Sequence, residues 1–183
     1  TFSGEIPTSI VNLQSTTSIR LDNNALETND PNVDTFLNAS RAPGWETTQT
    51  VPPENIRLSV ENGQLIIGWD PVQFLNFGYF IISSADNING PFIENGRTIN
   101  KLVNEYTIES STNNFYAVQA FTEAHGIQVN AITSRRSTII SSDITPPVIT
   151  LTPEIITETT GGLTAVDLGS VTATDSIDGT VAV

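Results

Sequence analysis

Gln64-Leu65-Ile66-Ile67-Gly68-Trp69, followed by Asp70-Pro71, is the stretch on which the fold turns. Leu65, Ile67 and Trp69 alternate onto one face, as a strand with one buried side requires. Asn62-Gly63 before it and Asp70-Pro71 after it are turn signals. Working outward, six further stretches read as short strands: Ile56–Val60, Tyr79–Ser84, Phe92–Glu94, Glu105–Glu109, Phe115–Thr122 and Ser137–Ser142. Asn89-Gly90-Pro91 and Asn95-Gly96 punctuate them. Many short strands at regular spacing predict a β-sandwich. Tyr79 and Ile81 are read as one inward pair, and Tyr116, Val118 and Ala120 as another inward set.

These features resemble a fibronectin type III domain over residues 49–143, with Trp69 as the core tryptophan of its second strand. The family usually places a tyrosine two residues before Tyr116; this chain has Asn114 there. By the same parity, Phe80, Ile82, Ala117 and Phe121 are expected to form an apolar strip on the outer face of one sheet. Such a strip would pack against a neighbouring module of the chain or bind a partner.

Before residue 49 the texture changes. Ile19, Leu21, Asn24 and Leu26 fit the spacing L-x-L-x-x-N-x-L, with Asn24 turned inward to satisfy backbone groups at the bend. The pattern resembles a leucine-rich repeat, with Gly4-Glu5-Ile6-Pro7 on its convex side. Phe2 and Leu26 then hold equivalent places, 24 residues apart. Asp30-Pro31 reads as an N-cap and first helical residue, and Val33, Phe36 and Leu37 share a face. With Trp45 they predict a helical cap, so residues 1–48 are read as a terminal repeat and its cap. The resemblance implies a concave ligand face, to which Ser18, Arg20 and Asp22 would contribute.

Residues 144–183 carry no basic group and five acidic ones. Pro146-Pro147-Val148-Ile149 and Ala173-Thr174-Asp175-Ser176-Ile177-Asp178-Gly179 resemble the start of a HYR domain, an immunoglobulin-like sandwich, here shorter than the family's length. The expected fold is thus mainly β: a repeat end with its cap, a sandwich, and a truncated immunoglobulin-like domain at 144–183. This last segment is expected to be the least stable. Thr1 in a sequence without Met suggests a piece of a longer polypeptide, with more repeats upstream.

Seven basic residues against twenty acidic ones give a net charge of −13. Such a chain repels phosphates, so neither nucleic acid nor anionic lipid is an expected partner. No apolar run approaches the roughly 20 residues that span a bilayer. With no Cys and one His, thiolate and multi-histidine metal sites are excluded. Asp175 and Asp178 ahead of Gly179 form a candidate calcium site; no other cofactor is expected. His125 with Glu123 is the nearest thing to a general base, but no nucleophile motif accompanies it. Asn38-Ala39-Ser40 matches the glycosylation acceptor pattern.

The sequence therefore reads as a non-catalytic, modular stretch of a secreted or cell-surface protein. Its expected ligand is a protein or glycan, and its modules also serve adhesion and spacing. An accessory spacer of a secreted hydrolase is the alternative, and a receptor ectodomain uses the same modules.

Overall fold

The computed structural model describes residues 2–109, 114–126, 128–143, 148–150, 172–175 and 179–181. The protein is mainly β and divides into two compact units, Thr1–Ser142 and Asp143–Val183.

The first unit opens with β1 (Ser3–Glu5) and β2 (Ala25–Glu27), paired in parallel with Gly4 opposite Leu26. The spacing between paired residues is 22, not the 24 that the motif suggests. Phe2, expected to match Leu26, is 72% exposed, whereas Leu26 is buried. A short α1 (Pro31–Phe36) follows, capped by Asp30, whose carboxylate accepts from Asn32 N. Val33, Phe36 and Leu37 are buried as their spacing predicts, against Ile6, Leu26, Ala42 and Trp45. Ile19 and Leu21 pack on this cluster, though not in a strand.

Asn24 holds the bend. Its Oδ1 accepts from Phe2 N at 2.7 Å, and its Nδ2 donates to the carbonyls of Leu21 and Asp22. Gln49, fully buried, does similar work: its Oε1 accepts from Leu26 N and its Nε2 donates to Leu21 O and Trp45 O.

The same unit continues into two sheets. One has the order β3 (Arg57–Glu61), β4 (Gln64–Gly68), β7 (Glu105–Ile108). Asn62 and Gly63 join β3 to β4 with φ of 50° and 78°, the two left-handed positions of a tight hairpin turn. The other sheet contains β5 (Gly78–Ala85), β6 (Ile93–Arg97), β8 (Phe115–Thr122) and β10 (Ile140–Ser141), in the order β10-β8-β5-β6. A short β9 (Ile132–Thr133) also pairs with β8. Ile67, Trp69 and Ile108 from the first sheet side meet Phe80, Ile82, Tyr116, Val118 and Ala120 from the second, forming a sandwich core. The Trp69 and Phe80 rings meet edge-on, 5.0 Å apart.

This core corrects the expected outer strip. Phe80 and Ile82 are 0% exposed and point inward. In the β5–β8 register Phe80 lies opposite Ala120 and Ile82 opposite Val118, both core residues. Tyr79 and Ile81 instead take the outer face, where Tyr79 stacks on Phe121 at 4.8 Å. Ala117 shares that face by alternation but is fully buried. The inward reading of Tyr116, Val118 and Ala120 holds.

The second unit contains β11 (Val148–Thr150), β12 (Thr172–Asp175) and β13 (Gly179–Val181), an antiparallel sheet in that order.

Candidate functional site

Packing Ile19 and Leu21 inward leaves Ser18, Arg20 and Asp22 exposed on the other side. Asn23, at φ 55°, turns the chain there, its N–H donating to Thr48 Oγ1. Arg20, Asp22, Asn23 and Asn24 form one wall of a groove of about 330 Å³. Gln128, Val129 and Asn130, from the loop after β8, form the other.

That loop is tied back on itself. His125 and Gln128 exchange backbone hydrogen bonds of 2.9 and 2.7 Å, and Gln128 Nε2 donates to the carbonyls of Glu123 and Asn130. These bonds bury the Gln128 side chain and leave Val129 83% exposed beside the groove. Arg20 offers donors, Asp22 acceptors, and the Asn23 and Asn130 amides both, while the Asn24 amide is spent on the bend. The groove can therefore recognise a polar ligand by hydrogen bonds, with Val129 for apolar contact. The sequence singled out Arg20 and Asp22; it gave no signal that Gln128–Asn130 would face them, because that juxtaposition depends on how residues distant in the chain pack together.

His125 is occupied locally. Its ring stacks on Phe77 at 3.9 Å, and Nδ1 lies 2.9 Å from the Glu123 carbonyl, not its carboxylate. A carbonyl only accepts, so Nδ1 carries the proton. Asn38 is likewise engaged: Nδ2 donates to Asp34, and Oδ1 accepts from Gly44 N.

Of the other candidate residues, Phe121 faces outward under Tyr79, while Phe80 and Ile82 belong to the core and carry no surface. Asp175 lies in β12, but its side chain and the whole of Asp178 lie outside the described residues. Among the described residues no three His, Cys, Asp or Glu side chains gather as a metal site. No helix among them is long and apolar enough to cross a membrane. No family model matches the chain, and neither curated proteins nor solved structures give a match.

Proposed function

We propose that this chain is a non-catalytic binding and spacing stretch of a secreted or cell-surface protein. In this reading residues 1–48 end a leucine-rich array, 49–143 form a fibronectin type III-like sandwich, and 144–183 begin a HYR-type domain. The inward Asn24 with its three backbone partners and the apolar underside of α1 support the repeat end. The three-stranded sheet packed on a four-stranded path, with Trp69 between, supports the sandwich.

One observation carries the binding role: the exposed repeat residues Arg20 and Asp22 share a groove with a sandwich loop, so two modules present one polar surface. The ligand is a protein or a glycan, reached by hydrogen bonds to that surface. The test is to screen the chain on glycan and protein arrays alongside Arg20→Ala/Asp22→Ala. Loss of the hits in the double variant, with unchanged melting, supports the reading. Hits that survive the double substitution, or an array with none, overturn it.

A further inference from the structure

A second cavity, of about 370 Å³, opens where the turn carrying Trp45 and Glu46 meets the Val51-Pro52 connection and the Asp70–Gln73 loop. It shares no lining residue with the groove above. Its walls are partly apolar, from Trp45, Val51, Pro52 and Val72, and every charged residue on it is acidic.

Most of these carboxylates are already engaged. Glu27 pairs with Arg135, Asp70 with Arg57 and the Asn55 amide, and Asp34 accepts from Asn38. Glu54 lies within the field of Arg135. Glu46 is different: its Oε2 is buried and has no hydrogen-bond partner among the described residues. The preceding residue repeats the pattern with opposite polarity. Trp45 is 4% exposed, and its indole Nε1 is also buried without a partner.

Unmade buried hydrogen bonds are costly, and native proteins keep few of them. Here one charged acceptor and one neutral donor sit on consecutive residues lining the same apolar-walled space. A ligand that answers both brings a cation for Glu46, an acceptor for the Trp45 N–H, and an apolar stem for Val51, Pro52 and Val72. A lysine or arginine side chain with its own backbone carbonyl has all three parts. Glu46 as a residue is only half-buried and lines the cleft, so part of it already meets the space a ligand would enter. The net charge of −13 favours approach of a basic partner. We propose that this cleft receives a lysine or arginine side chain presented by a protein partner.

The test follows the two indole N–H resonances of the nitrogen-15-labelled chain during titration with N-acetyl-arginine amide; Trp45→Phe assigns the Trp45 signal. A saturable shift of that signal is expected. Glu46→Gln should weaken binding by ~10-fold, the scale of a charge-assisted hydrogen bond. Glu46→Asp, which keeps the charge but retracts it, should weaken binding too. N-acetyl-norleucine amide, with a similar stem and no charge, should bind ~10-fold more weakly by the same reasoning. Agmatine, a guanidinium without the carbonyl, should leave the Trp45 indole signal in place. No saturable shift with the arginine probe would overturn the proposal. So would equal binding of the charged and uncharged probes, or unchanged affinity in both Glu46 variants.

Discussion

Asn24 is buried, and one side chain serves a donor and two acceptors of the backbone around it. Only an amide offers both functions at that length, which is why the spacing of Ile19, Leu21, Asn24 and Leu26 was readable as a bend. Asn24→Ala strands Phe2 N and the Asp22 carbonyl and leaves Leu21 O to Gln49 alone, and the expected loss is ~2–3 kcal/mol in a urea unfolding curve. Asn24→Asp keeps the acceptor for Phe2 N but loses both donor bonds, so it should not restore stability. Gln49 performs a parallel task, yet nothing in the sequence distinguished it. Its partners Leu26 and Leu21 lie more than twenty residues away, and no short-range pattern encodes such a meeting.

At the scale of the element, β4 and β5 differ in what their residues could say. In β4 a small or polar residue breaks the run at Gln64 and Gly68, so the inward set of Leu65, Ile67 and Trp69 was legible. Tyr79-Phe80-Ile81-Ile82 in β5 is apolar at every position, and alternation alone assigns no side to such a run. Pairing with β8 decides it by bringing Phe80 opposite Ala120 and Ile82 opposite Val118. Phe80→Ala should cost ~3–5 kcal/mol, the range for a deleted core aromatic. Tyr79→Ala, which unstacks Phe121 and removes one partner of Arg97 while its pair with Glu94 stays, should cost far less in the same denaturation series. Equal losses would return Tyr79 to the core. Gly78 anchors this register. At φ 144° it passes so close to the Phe121 carbonyl that a Cβ would overlap the oxygen. Gly78→Ala must therefore push β5 away from β8 and should cost ~1–3 kcal/mol.

Within the whole Thr1–Ser142 unit, the N-terminal part around Asn24 and the sandwich meet through buried polar groups. Thr50 N donates to Asn24 O, and Thr50 Oγ1 lies 2.7 Å from Thr122 Oγ1 at the end of β8. Thr122 in turn accepts from Lys101 Nζ, which also donates to Phe74 O and lies over the Phe74 ring. An ammonium only donates, so Thr122 Oγ1 accepts from Lys101, and either hydroxyl can supply the proton between Thr122 and Thr50. The junction is thus wired to a lysine that is 2% exposed and makes no ion pair among the described residues. Burial pushes its pKa down from 10.5 to about 8. The sign of the consequence follows from linkage. Between about pH 8 and 10.5 the unfolded chain holds this proton and the folded chain has largely released it, so folding gains stability as pH rises through that window. Below it both states are charged and the desolvation cost is fully present; above it both are neutral and the cost is gone. Lys101→Met removes the titration while keeping most of the volume. The difference in unfolding free energy between wild type and Lys101→Met, taken from urea curves at pH 7, 9 and 10.5, should therefore shift steadily in favour of the wild type. A pH-independent difference would mean that the amine is solvated in the folded state, and that the link from Lys101 through Thr122 to Thr50 does not seal the joint between the two parts.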